Sequence, residues 1–169
     1  MTESTFALPV YRWPAEAEVA GRMVRWAEQC LRDGLRPVFQ CYSLGKAQRV
    51  LAALPSLAPW QVHRAALPYV DIYRAAGIGI ADVQAIDDRA RPTIAPPGTP
   101  LRGRFRTAAV SGWAATRGQG FILSDHADWP GLERIVDESG AQEVWFTHGF
   151  AAQAARWYAA RGLRTRSIR

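Results

Sequence analysis

The chain has 169 residues, of which 49% are hydrophobic and seven are Trp, so it has enough apolar material for a packed core and is not a largely disordered chain. A chain of this length fits one ordinary domain or two small lobes. Lys and Arg number 21 against 15 acidic residues, and the net charge of +6 favours a polyanionic partner, although a GC-rich genome would also enrich arginine.

The first half of the chain alternates strand and helix patterns. Residues 2–8 are predicted to be the end of a strand that runs into a loop. Residues 14–33 follow as a helix whose apolar face holds Val19, Met23, Trp26, Cys30 and Leu31. The strand VFQCY, the helix KAQRVLAAL, a short strand in PWQVHRAAL and the short helix PYVDIYRAAG come next, and residues 77–88 form a weakly patterned connection. This alternation predicts an α/β fold with a parallel sheet flanked by helices.

Proline and glycine interrupt the alternation in RPTIAPPGTPLRG, which is predicted to be a linker or crossover with at most one short strand at its start. Strand patterns resume in FRTAAVSGWA, GFILS and EVWFTH, and helix patterns in WPGLERIVDES and AAQAARWYAARG. Asp128 is the expected N-cap of the first of these helices. Its inward face is expected to hold Leu132, Ile135 and Val136. We therefore expect two α/β lobes joined near residues 91–110.

Cysteine usage and hydropathy bear on the compartment. Cys30 and Cys41 fall in separate predicted elements and are not spaced as a metal or redox motif, so both are expected to be reduced core residues. No apolar run approaches the ~18 residues that span a bilayer. The N-terminus lacks the basic and apolar regions of a signal peptide. We therefore expect a cytoplasmic protein without a membrane partner.

Two of the three histidines directly follow predicted strands. His126 follows GFILS in the segment SDHAD, and His148 ends EVWFTH. Catalytic groups collect at the carboxyl ends of parallel strands, so both rings are expected at one rim of a sheet, unless each only caps a loop. Small neighbours suit His148 to metal ligation, and the adjacent Asp125 and Asp128 suit His126 to a role as general acid. His63, inside a predicted strand, is expected to be structural.

The segment YSLGKAQR combines a strand end, a glycine turn and the start of a helix. A helix N-terminus offers free N–H groups and the positive end of a dipole, so Ser43, Lys46 and Arg49 are candidates for holding an anion. The segment is not a P-loop, because the first glycine and the Ser or Thr after lysine are missing. An ordinary strand–helix turn is an equal alternative. Glu3, at a predicted strand end, is either a functional acid or merely solvated.

The segments ESTFALPVYRWP, YSLGKAQR, SGW, LSDHADWPGL and THG, in this order, resemble the ligase-associated DNA exonucleases. These bacterial proteins have a metallo-β-lactamase fold with a β-CASP domain and are related to mRNA 3′-end-processing endonucleases. The resemblance covers nearly the whole chain and is weakest over residues 78–108. It implies that residues 1–8 end the N-terminal half of the metallo-β-lactamase fold. Residues 9–110 would form the β-CASP lobe, and residues 111–169 the C-terminal α/β part of the metallo-β-lactamase domain.

The resemblance also implies a zinc-dependent nuclease of DNA repair that hydrolyses phosphodiesters with two Zn²⁺ ions in the complete enzyme. By this resemblance His126 would protonate the leaving group while paired with Glu3, and Asp125 would orient the site. His148 would ligate zinc.

One departure from that family limits the expectation. The HxHxDH stretch that holds most of the metal is absent, and no two histidines of this chain have HxH spacing. The chain therefore resembles a C-terminal half, which we expect to bind zinc poorly and to be inactive alone. The implied partners are a missing N-terminal half-domain, a DNA ligase or helicase system, and nucleic acid, with DNA favoured over RNA. The residues expected to hold the nucleic-acid backbone are Ser43, Lys46 and Arg49. An RNA 3′-end-processing nuclease of the same fold and a non-catalytic nucleic-acid-binding module are open alternatives.

Overall fold

The structure is a computed structural model that describes residues 1–168. Its helices are α1 (Glu16–Arg32), α2 (Lys46–Ala53), α3 (Leu67–Ala75), α4 (Ala114–Arg117), α5 (Trp129–Glu138) and α6 (Ala151–Ala159). Its strands are β1 (Thr2–Glu3), β2 (Arg36–Gln40), β3 (Trp60–Val62), β4 (Val83–Ala85), β5 (Thr93–Ala95), β6 (Phe105–Ala109), β7 (Glu143–Thr147) and β8 (Arg164–Ile168). Among residues 1–168, no helix has the length and apolar character needed to cross a bilayer.

The chain folds into two units, each with its own parallel sheet. The five-strand unit consists of residues 14–114 and 118–123, and the three-strand unit consists of residues 1–13, 115–117 and 124–169. This architecture of parallel sheets with flanking helices confirms the predicted α/β class. The assignment of chain segments to named nuclease domains stays a prediction.

The five-strand unit has a sheet of order β4-β3-β5-β2-β6, in which every pair is parallel. Phe39 is central to its core: the ring is fully buried and packs against Trp26 at 5.1 Å, Trp60 at 5.6 Å and Phe121 at 6.0 Å between ring centroids. Both cysteines are buried in this unit as free thiols, as predicted.

Two short segments differ from the sequence expectation. Residues 77–88, predicted as a connection, contain β4, and the strand predicted in GFILS is absent, since Phe121 forms only an isolated bridge to Val110. A three-residue strand such as VQA has too little sequence to show a pattern, and its pairing with β3 holds it in place. The proline-rich segment contains β5, the one short strand allowed at its start, which lies between β3 and β2 in the middle of the sheet. The segment predicted to join two lobes therefore supplies β5 and β6 to the five-strand sheet.

The three-strand unit has a parallel sheet of order β1-β7-β8. Along β7, Val144 and Phe146 are buried while Trp145 is 41% exposed, so one face of the strand carries the core. Phe146 stacks on Tyr158 of α6 with the ring centroids 5.3 Å apart. β8 was not predicted, because RTRSI carries little apolar material. Its position depends on pairing with β7, from Glu143↔Arg164 to Thr147↔Ile168.

Helix α5 begins as the sequence predicts. The Asp128 side chain accepts a hydrogen bond from the backbone N–H of Gly131 at 2.9 Å, which is the geometry of an N-cap. Leu132 and Val136 are buried, as expected. Ile135 is 49% exposed, so the prediction that it faces inward is wrong. The helix turns a narrower apolar stripe towards the core than the sequence implies, and this stripe holds Trp129, Leu132 and Val136.

Candidate functional site

Glu3 lies at the carboxyl edge of the three-strand sheet. β1 runs parallel to β7 with Glu3 opposite Thr147, and the backbone N–H of Ser4 donates to the Thr147 carbonyl at 2.8 Å. Because the strands are parallel, both end at the same edge, where loops carry functional groups in open α/β sheets. The two-residue strand β1 therefore places Glu3 at this edge of the sheet.

The loop after β1 packs tightly against the loop after β7. The buried hydroxyl of Ser4 lies 2.8 Å from each of the carbonyl oxygens of Thr147 and His148, and its single hydrogen is shared between them or donated to either one. Gly149 has a φ of +52°, and a Cβ built there would lie 2.4 Å from the Cα of Thr5. Only glycine leaves room for two backbones to approach this closely. Gly149 therefore allows the loop that follows Glu3 to pack against the loop after β7.

Glu3 contacts His126 directly. The Nδ1 atom of His126 lies 3.3 Å from Oε1 of Glu3, and the second carboxylate oxygen accepts a hydrogen bond from the backbone N–H of Thr5 at 2.8 Å. The side chain of His126 is 50% exposed and that of Glu3 is 35% exposed. The two residues are far apart in the sequence, and the fold makes them an acid–histidine pair open to solvent.

The environment keeps Glu3 ionised. Burial raises the pKa of the Glu3 carboxyl, but hydrogen bonds from Thr5 and the charge of His126 together lower it by more, so its pKa lies below the ordinary value. An ionised carboxylate accepts from Nδ1–H of the imidazole and fixes that tautomer. Nε2 is then the ring nitrogen left to exchange a proton or to meet a ligand.

Backbone contacts hold His126 in place. The indole N–H of Trp13 donates to the His126 carbonyl at 3.0 Å, and the His126 N–H donates to the Ser124 hydroxyl at 3.2 Å. The ring of Phe6 lies edge-on to the imidazole, with 5.7 Å between ring centroids. Because GFILS forms no strand, His126 reaches Glu3 from a loop, and the expectation that it follows a sheet strand is wrong.

The aromatic segment, residues 6–13, is hydrogen-bonded to the N-cap of helix α5. The second carboxylate oxygen of Asp128 accepts from the backbone N–H of Trp13 at 2.8 Å, while the first caps the helix. Tyr11 is 3% exposed and packs edge-on to Phe6 with 4.9 Å between centroids. Sequence patterns did not identify Phe6, Tyr11 and Trp13 as supports of the site. Their only signal is the aromatic spacing in FALPVYRW, which begins three residues after Glu3.

His148 and Asp125 are both exposed near this edge. His148 has a φ of 61°, a left-handed conformation that is rare for a non-glycine residue, and its carbonyl accepts from Ser4. Within residues 1–168, no group of three or more His, Cys, Asp or Glu side chains is arranged to hold a metal ion. The described residues therefore do not form a zinc site by themselves. The roles predicted for His148 in zinc binding and for Asp125 in orienting the site stay predictions.

The predicted anion-binding residues belong to the five-strand unit. Lys46 is 8% exposed and its Nζ donates to the Leu123 carbonyl at 3.2 Å, so its amine is used inside the protein. Arg49 forms an ion pair with Glu16 at 2.7 Å, and the Ser43 carbonyl accepts from the side chain of Gln48. Their contact with nucleic acid stays a prediction. In the same unit, His63 accepts a hydrogen bond from the Ala65 N–H at 3.3 Å and caps a short 3₁₀ turn, a structural position.

A cavity of about 560 Å³ also lies in the three-strand unit, lined in part by Glu133, Asp137, Tyr158 and Arg161. Neither member of the acid–histidine pair lines it. We base the candidate site on the pair, because two ionisable groups in contact at the edge of a parallel sheet are a more specific feature than cavity size.

The fold and this pair define a two-unit parallel α/β protein with an acid and a histidine in contact at a sheet edge. No protein-family model matches the chain. The chain is similar to a protein of Opitutus terrae named "Probable DNA ligase", with 32% identity over 185 aligned positions that cover 98% of this chain. The chain spans 18% of the length of that relative.

This comparison contradicts the predicted identification. The relative is named a ligase and not a hydrolase, and no family model supports a metallo-β-lactamase or β-CASP assignment. The identification as a ligase-associated DNA exonuclease and the assignment as a zinc-dependent nuclease are therefore corrected. The motifs behind them were short, and a similar short motif does not carry the chemistry of a whole family.

Proposed function

We propose that this chain is a DNA-contacting part of a larger DNA-processing protein. The observation that supports it is the identity of 32% over 98% of the chain with a protein whose name assigns it to DNA. The net charge of +6 favours a polyanion, because lysine and arginine gain by releasing the counterions of phosphates.

Within this proposal the Glu3–His126 pair is a phosphate-contacting site. The pair is accessible, and Glu3 accepts at Nδ1, so an imidazolium presents its Nε2–H to a phosphate oxygen while Glu3 holds the ring. A carboxylate alone would repel DNA, and the histidine therefore carries the attraction.

The proposal is tested by measuring the fluorescence anisotropy of labelled single-stranded DNA, duplex DNA and matched RNA with the purified chain. We expect DNA binding that weakens steeply between about 50 and 200 mM salt, because each neutralised phosphate adds to the salt dependence. Equal affinity for the matched RNA would point to a nucleic-acid module without a preference for DNA. No DNA binding at the lowest salt would overturn the proposal.

A pair of matched substitutions tests the site itself. His126→Asn removes the imidazole next to Glu3 and should weaken DNA binding. His63→Asn removes an imidazole from a structural position where asparagine still caps, so it should leave binding unchanged. Equal binding by the two variants would exclude His126 as a DNA contact.

A further inference from the structure

The outer edge of the five-strand sheet carries arginines around one exposed aromatic ring. β6 is the edge strand and pairs with β2, and on its other side the carbonyl of its last residue, Ala109, accepts from the Phe121 N–H at 2.8 Å. In the segment LRGRFRT, Arg102, Arg104 and Arg106 are exposed, and Phe105 is 42% exposed. Exposed aromatic rings are normally scattered singly over a protein surface, so a ring that lies within a run of arginines is a specific surface feature.

The strand presents Arg106 and the Phe105 ring on opposite faces. Arg106 lies 3.8 Å from Asp33, next to α1, and Ala108 packs against the core cluster on that face. Side chains alternate along a strand, so Phe105 and Thr107 lie on the other face. A ligand that runs along the edge can therefore contact arginine on one side and the Phe105 ring on the other.

The charge of this edge is largely uncompensated. Arg106 shares the carboxylate of Asp33, whereas no acidic side chain within residues 1–168 forms an ion pair with Arg102 or Arg104. Gly103, with a φ of +79°, makes the turn that leads from Arg102 into the strand. Two unpaired guanidinium groups therefore lie within three residues of each other, next to the exposed ring.

We propose that the β6 edge, formed by Arg102, Arg104, Phe105 and Arg106, binds single-stranded nucleic acid. Arginine forks match phosphate oxygens, and an exposed aromatic ring stacks on the face of an unpaired base. A duplex keeps its base faces stacked inside, so the ring favours a single strand over a duplex. The inference rests on the proposed function and names the strand form and the surface that contacts it.

A different role would leave the same arginines in place. Charged side chains on an edge strand prevent two sheets from pairing edge to edge. In that case their removal would cause aggregation without any effect on nucleic-acid affinity. The two roles therefore give different results when binding and association state are measured on the same variants.

The test measures the affinity of labelled oligothymidylate for the full chain by fluorescence anisotropy over a range of salt. Arg102→Gln with Arg104→Gln should weaken binding about tenfold and reduce the salt slope by about 1.4, because each single-strand phosphate contact contributes ~0.7. Phe105→Leu should weaken binding by about tenfold with an unchanged salt slope, because stacking and not charge is lost. Circular dichroism and size-exclusion chromatography confirm that each variant is folded and monodisperse.

The matched control is Arg22→Gln with Arg25→Gln, which removes the same charge from exposed positions of α1 in the same unit. This control should bind within about twofold of the wild type. If both double variants lose affinity equally, only net charge matters and the edge site is wrong. Unchanged affinity with aggregation of the β6 variant would assign the arginines to edge protection. A wild-type chain that binds no DNA would instead overturn the proposed function, whereas a binding wild type with unaffected variants overturns only this inference.

Discussion

The carboxylate of Glu3 lies 3.3 Å from Nδ1 of His126, and two independent sets of contacts hold the two residues there. Pairing of β1 with β7 fixes Glu3 at the sheet edge, and the hydrogen bond from Trp13 to the His126 carbonyl fixes the histidine loop. Because neither set includes the pair itself, the contact can be changed by substitution without removing the elements that support it.

The first prediction concerns the pH dependence of stability. The folded-state pKa of Glu3 is lowered, so ionised Glu3 stabilises the fold above its unfolded-state pKa, and this contribution is lost as the pH falls through the lowered value. Glu3→Gln should flatten the acid side of the stability curve. The loss at neutral pH should stay below about 1 kcal/mol, because the side chain is partly exposed. Urea unfolding across the acid range measures it, with the exposed Glu28→Gln as control, and parallel curves for wild type and Glu3→Gln would contradict the argument.

The second prediction tests the close approach of the two loops. Gly149→Ala adds a Cβ that would lie 2.4 Å from Thr5 Cα and 2.8 Å from the Ser4 carbonyl oxygen, and backbone atoms cannot move aside cheaply. Gly140 has a similar φ of +61° but no atom within 4 Å of the added Cβ. Gly140→Ala should therefore cost about 1 kcal/mol from backbone strain alone, and Gly149→Ala clearly more. Thermal unfolding compares them, and equal losses would show that the loops can separate.

A third prediction follows from the double role of Asp128. Its carboxylate accepts from Gly131 N–H and from Trp13 N–H, so Asp128→Ala removes the helix cap and one attachment of the aromatic segment. We expect a loss of about 2 kcal/mol, at the upper end of the range for N-caps. Asp71→Ala, at an exposed position on α3, should change little. A loss of only a few tenths, measured by denaturant unfolding, would show that the cap contributes little.

A fourth prediction uses the buried hydroxyl of Tyr158. Among the described residues this oxygen has no hydrogen-bond partner, and burial raises the pKa of Tyr158 to about 12. Tyr158→Phe removes an unsatisfied polar atom and keeps the stacked ring, so stability should stay equal or rise by about 1 kcal/mol. The hydroxyl of Thr165 donates to the Ala155 carbonyl at 2.9 Å, and Thr165→Val should destabilise the fold. Calorimetry separates the two, and a marked loss for Tyr158→Phe would reveal an unrecognised partner.

The fifth prediction is that zinc leaves the melting temperature of this chain unchanged. The basis is that residues 1–168 contain no arrangement of three or more metal-ligating side chains. A metal that binds only the folded state would raise the melting temperature by mass action. Differential scanning fluorimetry with and without Zn²⁺ measures the melting temperature. An increase of several degrees would be evidence that the folded chain binds the metal.

Sequence patterns determined the elements whose signals are local. The 3.6-residue stripe of α1, the Asp128 cap of α5 and the apolar run of β2 each carry their information within one element, and the cap lies where it was predicted. In α1, Val19, Met23 and Cys30 are buried as expected, but Leu31 is 37% exposed, so its place on the apolar face is wrong. β2 spans Arg36–Gln40 and begins two residues before the predicted strand VFQCY. The same patterns identified His126 as a candidate, because it directly follows apolar residues, and they left Glu3 as either a functional acid or a solvated one. The pairing of Glu3 with His126 was an implication of the family resemblance, and the 3.3 Å contact agrees with it although the family identification is wrong.

Only the tertiary structure decided the remaining features. β4 and β8 have three and five residues and few apolar side chains, so neighbouring strands supply the hydrogen bonds that define them. The contact of Glu3 with His126 joins distant parts of the chain, and its distance depends on how β1, the aromatic segment and α5 pack together. Local propensity fixes each element by itself, whereas the arrangement of short strands and distant loops is a property of the packed unit.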